Sequence, residues 1–301
     1  MNRPLALVLG YAADRLLGDP RRFHPVAGFG GLATRLERAG YADRRSHGVR
    51  HVVLLVGGAA LVGRALDRST ATTAVATWAV LGGRSLDREA AAVESLLLAG
   101  RLDDARRRLT HLVGRDTSVL DEAGVARAVI ESVAENTSDA VVAALVWGAL
   151  AGAPGLLAYR AANTLDAMVG HHTERYERFG WAAARLDDVL NVPGARLAAV
   201  LAVALGGDPR GALAAWHRDA GAHPSPNAGP VEAAFAGALG VRLGGETVYA
   251  TRTEQRPVLG DGRAPTAHDI TRARALARRV DLAALVVCAG AAARSARRRR
   301  R

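Results

Sequence analysis

Several groups of acids, amides and guanidinium groups lie at spacings that chemistry on phosphates or carboxylates would use. The densest is Glu131-Ser132-Val133-Ala134-Glu135-Asn136-Thr137-Ser138-Asp139. On a helix Glu131, Glu135 and Asp139 fall at i, i+4 and i+8 and form one acidic stripe. A solvated helix face usually pairs its acids with basic residues, yet only Arg127 stands near this stripe, and the chain turns apolar immediately after it. Acids grouped with Asn136 and a serine against an apolar segment are the donors that Mg²⁺ or a polar ligand would use. The metal candidates are Glu135 and Asp139.

A second group follows at Tyr159-Arg160-Ala161-Ala162-Asn163-Thr164-Leu165-Asp166. Tyr159, Asn163, Asp166 and Gly170 share a helical face, and Arg160 can hold a phosphate or carboxylate with two parallel hydrogen bonds. Asn and Asp on an Ala/Leu-rich helix need partners if buried, so an internal polar network is the competing account. Further candidates are Asp19 with His24, and Arg185 with Asp188. Ser225 and Asn227 lie in His223-Pro224-Ser225-Pro226-Asn227-Ala228-Gly229 ahead of Glu232, and Arg263 in Gly260-Asp261-Gly262-Arg263. Each has a plainer account. Gly18-Asp19-Pro20 is an ordinary helix stop. Arg185 and Asp188 can simply pair at i, i+3. Asn227 or Gly229 can cap the helix that follows, whose free amides could bind an anion.

No phosphate-binding Walker loop, dinucleotide glycine fingerprint, nucleophile elbow or HExxH is present. The 301 residues carry a net charge of +11, and all 40 basic residues are arginine. That balance favours anionic partners: phosphates, carboxylates or anionic lipid. Nucleic acid is not expected, because the arginines are scattered and aromatic stacking platforms are few. The single cysteine, Cys288, excludes an intrachain disulfide, and no Cys/His cluster has zinc spacing.

The elements that must position these groups are helical. Half the residues are apolar, aromatic residues make up only 4%, and small residues dominate, as close helix–helix packing requires. Little or no sheet is expected. The pattern predicts helices over 4–17, 31–40, 49–67, 69–83, 121–151, 156–170, 174–190, 194–206 and 231–240. One or two more fall in 85–114, and a last one, broken near Arg279, in 266–293. Segments 207–230 and 241–265 read as connections. No linker divides the chain, so residues 1–296 are expected to form one domain, followed by an Arg-rich tail over 297–301.

The fold class is therefore all-α. Uncharged runs such as Val52 to Gly63 and the 20-residue Ala140 to Tyr159 raise the expectation of a multi-pass helical membrane protein. The longest run poses a geometric problem. As one helix it would rise about 30 Å, at roughly 1.5 Å per residue, and hold Asp139 and Arg160 on opposite sides of a bilayer. Ala153-Pro154-Gly155 breaks it. The expectation is a re-entrant helical hairpin over 126–170, with a buried turn and both polar ends on one side.

Taken together, GYAADRLLGDPRRFHPV, ESVAENTSDAVVAALVWGALAGAPGLLAYRAANTLDAMVG, RYERFGWAAARLDDVLNVPGARL, SPNAGPVEAAFAGALGVRLGG and GDGRAPTAHDI resemble the adenosylcobinamide-phosphate synthases of cobalamin biosynthesis, the CobD/CbiB family. The resemblance spans residues 10 to 270; the Arg-rich tail lies outside it. It implies a multi-pass enzyme of the cell membrane, with its active side cytoplasmic because ATP is cytosolic. It implies ATP-dependent amide ligation of (R)-1-aminopropan-2-yl phosphate (aminopropanol phosphate), or a related amino-alcohol phosphate, to adenosylcobyric acid. ATP would be the co-substrate, with Mg²⁺. On this footing Glu131, Glu135 and Asp139 would handle metal or amine, with Asp166 also catalytic. Arg160, Arg185 and Arg263 would hold phosphates, and Asn136, Asn163 and Asn227 would orient substrates. Asp19, His24, Asp188 and Ser225 complete the binding set. The competing functions are a membrane transporter and a Mg-dependent membrane phosphotransferase.

Overall fold

A computed structural model describes residues 1–19, 24–249 and 252–298. The elements run in order α1 (Arg3–Leu17), α2 (Pro25–Gly40), α3 (Arg45–Leu66), α4 (Thr70–Val80), α5 (Gly83–Leu98), α6 (Leu102–Leu109) and α7 (Glu122–Thr137). A π-helical turn over Ser138–Val142 joins α7 to α8 (Ala143–Ala151), and α9 (Ala153–Val169) follows. Next come α10 (Trp181–Leu205), α11 (Pro209–Asp219), α12 (Ala228–Leu239), β1 (Leu243–Tyr249), β2 (Arg252–Leu259) and α13 (Ala267–Arg298). The protein is mostly helical, as its composition predicts.

The chain folds into two compact units, each built from discontinuous segments. One comprises Met1–Gly82, Asp139–Gly194 and Leu285–Arg301, the other Gly83–Ser138 and Ala195–Ala284. A linker is a signature of domains that follow one another along the chain. Interleaved units leave none, so the sequence alone offers a single domain.

In the first unit, small residues set the helix spacing. A Cβ on Gly10 would stand 2.4 Å from Thr77 Cβ, so α1 and α4 meet there; Trp78 donates its indole N–H to Gly18 O at 3.0 Å. On α3, Gly63 lies against the start of α9, where an added Cβ would be 2.6 Å from Ala153 O. Val52 and Leu55 of α3 pack with Leu165 and Val169 of α9 and with Phe179. The two helices therefore run antiparallel. Replacing Gly63 by Val is expected to destabilise this unit by about 1–3 kcal/mol, the usual range for overpacking. It would appear as a lower thermal midpoint of the purified protein; an unchanged midpoint would mean that α9 can retreat.

The expected hairpin is present, with its break one residue earlier than predicted. Gly152 turns the chain at φ +71°, and Pro154 sits in the first turn of α9, where its missing N–H is harmless. The Tyr159 hydroxyl donates to Asp139 O at 2.7 Å, so the two polar ends do come together. The turn is buried at Gly152, Ala153 and Gly155, as expected, with Pro154 partly exposed, and it meets charged groups. Ala153 N donates to Asp67 Oδ1 at 3.1 Å, and Arg3 lies 3.6 Å from the same carboxylate.

Elsewhere the structure departs from the periodicity. The pattern predicts two helices over 174–190 and 194–206, but α10 runs through Pro193 without a break. Gly194 lets α10 approach Ala143 closely. The connection over 207–230 contains α11, capped by Asp208, which accepts from Gly211 N at 2.9 Å. The connection over 241–265 contains an antiparallel hairpin with Thr247 opposite Glu254 and Glu246 opposite Gln255. That strand pair lacks apolar alternation, and Gly244 and Gly245 both take positive φ, so nothing in its pattern announces sheet. No break occurs in α13 near Arg279.

Among the described residues, α3 and α10 are long and apolar enough to cross a membrane, by length and composition. Val53, Leu54, Leu61 and Val62 on α3 are all more than half exposed.

Candidate functional site

Two polar clusters emerge, one in each unit. The first unit holds a chain of hydrogen bonds between α9 and α10. The Tyr159 hydroxyl lies 2.6 Å from Asn191 Oδ1, and Asn191 Nδ2 donates to Asp187 Oδ2 at 2.8 Å. Asn163 Nδ2 donates to the other oxygen of Asp187 at 3.3 Å, and Arg160 Nη1 donates to Asn163 Oδ1, also at 3.3 Å. Asp187, Asn191 and Tyr159 are buried. The network runs from the Asp139 carbonyl to the Arg160 guanidinium. It satisfies amides and a carboxylate that would otherwise be stranded, and it fixes the position of the cation at its end. Arg160 Nε is buried with no hydrogen-bond partner.

Sequence reasoning places Arg160, Asn163 and Tyr159 on one helical face, and they do line up there. It chooses Asp188 from the Asp187-Asp188 pair, whereas the network uses Asp187. Asp188 lies 3.6 Å from the exposed Arg185. Asn191 carries only a weak sequence signal, its i, i+4 spacing from Asp187 on an otherwise apolar helix. Asp166 belongs to the same face and is partly buried. Its carboxylate lies so close to Gly170 that a Cβ there would meet Oδ1 at 1.9 Å.

The second unit holds a small polar cavity of about 180 Å³. Among the residues that line it are Arg115, Glu131, Ser132, Glu135, Glu232 and Arg256. Both Glu131 oxygens have polar neighbours: Oε2 lies 2.7 Å from Arg115 in an ion pair, and Oε1 accepts from Gly244 N at 2.8 Å. One turn earlier on α7, Arg127 donates to Gly244 O and, at 2.8 Å, to Glu246 O. The acid stripe thus anchors the β-hairpin as well as facing the cavity. Glu232, on α12, is buried, and Nε2 of His223 lies 3.9 Å from it. Burial and then the neighbouring Glu131 and Glu135 raise the Glu232 carboxyl well above its usual range. Desolvation is also the main reason that the His223 imidazole is lowered.

The remaining predicted residues are placed as follows. Asn136 donates back to Ser132 O at 2.9 Å on its own helix. Asn227 is the N-cap residue of α12 but makes no side-chain cap bond; the Ser225 hydroxyl accepts from Asn227 N at 3.3 Å and Ala228 N at 3.1 Å. Asn227 is buried. Arg263 makes a two-pronged pair with Asp269, at 2.7 and 3.0 Å. Asp269 also caps α13 by accepting from Thr266 N at 2.9 Å, and these partners hold its carboxyl far below the usual range despite burial. His24 caps α2 through Nδ1, which accepts from Val26 N at 3.2 Å, and its Nε2 is 4.0 Å from Asp19. Pro20 to Phe23, between those two, lie outside the described residues, as does the tail beyond Arg298.

The metal candidates Glu135 and Asp139 fall in different units. Among the described residues no three His, Cys, Asp or Glu side chains are grouped to hold a metal ion.

Comparison with known proteins covers nearly the whole chain. The model of the CobD/Cbib protein family matches residues 7–277. The Cobalamin biosynthesis protein CobD of Mycobacterium tuberculosis (strain ATCC 25618 / H37Rv) is 52% identical over 296 residues, covering 95% of each chain. The protein of the same name from Chromobacterium violaceum is 48% identical over 93% of each chain. That from Rhodobacter capsulatus is 41% identical, covering 93% of this chain and 94% of its own length. No solved structure matches. With the family model and full-length relatives in agreement, this chain belongs to the CobD/Cbib family.

Proposed function

We propose that this protein is an adenosylcobinamide-phosphate synthase. It joins a carboxylate of adenosylcobyric acid to the amino group of aminopropanol phosphate, or of a related amino-alcohol phosphate, with ATP as co-substrate. The single observation that carries this reading is the near full-length match to proteins called Cobalamin biosynthesis protein CobD. The two polar clusters support it, because they supply guanidinium groups, carboxylates and amides in buried surroundings.

A carboxylate and an ammonium do not condense in water unaided. In the proposed sequence a carboxylate oxygen attacks the γ-phosphorus of ATP, and ADP leaves. The amine, having given up a proton, attacks the acyl carbon, and inorganic phosphate departs as the amide forms. Arg160, held by the Asn163–Asp187 network, is the cation placed to neutralise phosphate oxygens in this scheme. Mg²⁺ is assigned to the nucleotide, arriving with its phosphates, and no step is assigned to a metal held by the protein.

The protein is proposed to sit in the cell membrane as a multi-pass helical protein, in contact with lipid and with its reacting groups on the cytoplasmic side, where ATP is available. The apolar length of α3 and α10 and the exposed leucine and valine face of α3 support this.

The test is mass spectrometry of purified protein incubated with adenosylcobyric acid, ATP, Mg²⁺ and aminopropanol phosphate. The expected result is an ATP-dependent product with the mass of the amide, formed together with ADP and phosphate. Transport without conversion in proteoliposomes, or phosphoryl transfer without an amide bond, would overturn the proposal.

A further inference from the structure

We propose that the cavity among α7, α12 and β2 in the second unit is the binding site for the amino-alcohol phosphate, with the phosphate on Arg115 and Arg256 and the ammonium between Glu135 and Glu232. This assignment rests on the ligase reading and adds to it a place and a set of residues.

Size decides first. The cavity measures about 180 Å³. Drug-sized ligands occupy about 300 Å³ or more. Such a space does not enclose a whole corrinoid or a whole nucleotide. Of the three substrates in the proposed reaction, only the amino-alcohol phosphate is small enough.

Charge decides next. The lining offers two guanidinium groups and three carboxylates, the complement of a molecule that bears an anion and a cation within a few bonds of each other. One carboxylate, Glu131, is taken up by Arg115 and the Gly244 amide, and it aims Arg115. The Arg115 side chain is only 8% exposed, and its Nη1 has no hydrogen-bond partner. A buried donor is normally satisfied, so Arg115 Nη1 points to a ligand. Glu135 is the exposed carboxylate of the lining, suited to meet the ligand as it enters. Glu232 is deep, and burial favours its neutral form. An ammonium arriving beside it would favour the carboxylate, so binding should release a proton.

The test uses the full-length protein in detergent and isothermal titration with 1-aminopropan-2-yl phosphate. Inorganic phosphate and 1-aminopropan-2-ol serve as half-ligands, and buffers of different ionisation enthalpy report protons. The expected result is binding of the zwitterion at least 10-fold tighter than either half. Proton release should be smaller in Glu232→Gln than in the unaltered protein, and affinity should fall at least 10-fold in both Glu232→Gln and Glu135→Gln. Glu135→Gln keeps the test decisive if Glu232→Gln fails to fold. Unchanged affinity in the folded variants, or half-ligands that bind as well as the whole, would overturn the assignment. The amide assay separates the two proposals. Synthesis with an unaltered KM for the amino-phosphate in the variants removes this site and leaves the ligase. Tight, variant-sensitive binding without any amide product keeps the site and removes the ligase.

Discussion

Asp187→Asn is expected to lower amide synthesis by about 100-fold while leaving a folded protein. Asp187 accepts hydrogen bonds from Asn163 on one oxygen and from Asn191 on the other. The amide that replaces it is nearly the same shape but has one acceptor and one donor end. Whichever way it lies, an N–H faces an N–H, and a buried donor loses its partner at a cost of about 1–3 kcal/mol. If Asn163 rotates to relieve that clash, it withdraws the oxygen that holds Arg160. A guanidinium displaced from the reacting phosphate should reduce kcat more than KM, because its role is greatest where charge develops. The control is Asp103→Asn, at an exposed surface carboxylate on α6. Equal rates for Asp187→Asn and the unaltered protein would show that the network only braces α9 against α10.

The second large effect concerns Glu131. Glu131→Ala is expected to destabilise the second unit by about 3–5 kcal/mol, the range for removing one partner of a buried ion pair. Arg115 would remain buried without its carboxylate, and the Gly244 amide would lose its acceptor. The hairpin of β1 and β2 should loosen first. Hydrogen exchange resolved by segment would show faster exchange over 243–259 than in α9. Protection unchanged at the hairpin would remove Glu131 from its anchoring role. The outcome also divides the acidic stripe. A residue that positions Arg115 and the hairpin acts through them, whereas Glu135 stands exposed at the cavity, where an entering ligand would pass it.

The legible part of this protein is the part written in helical periodicity. Tyr159, Asn163 and Asp166 are visible as one face because 3.6 residues per turn is a local rule, and α9 obeys it. The hairpin of α8 and α9 is visible because Pro154 and Gly155 interrupt an apolar run too long to ignore. The partners across the helix interface are not. Choosing Asp187 over Asp188 requires the rotation of α10 about its axis, which is set by Gly194 against Ala143 and by Trp147 donating to Leu190 O. Neither contact has a sequence signature. Arg263 looks like a phosphate ligand because guanidinium groups serve both substrates and carboxylates. Its pairing with Asp269, six residues on, belongs to the cap of α13, which the turn residues alone do not reveal. Glu232 passes as one acid at a helix start until the fold places it with Glu131 and Glu135.

The interleaving of the two units bears on how the protein is made. The polypeptide crosses from one unit to the other four times, and the first unit takes its last segment from Leu285 onward. Domains commonly fold in order as they leave the ribosome. Here α1 to α4 emerge first and must wait for α8 and α9, and the segment from Leu285 emerges later still. Nascent chains halted before residue 285 should therefore be captured by quality-control proteases, and no contiguous fragment should be obtainable as a folded half.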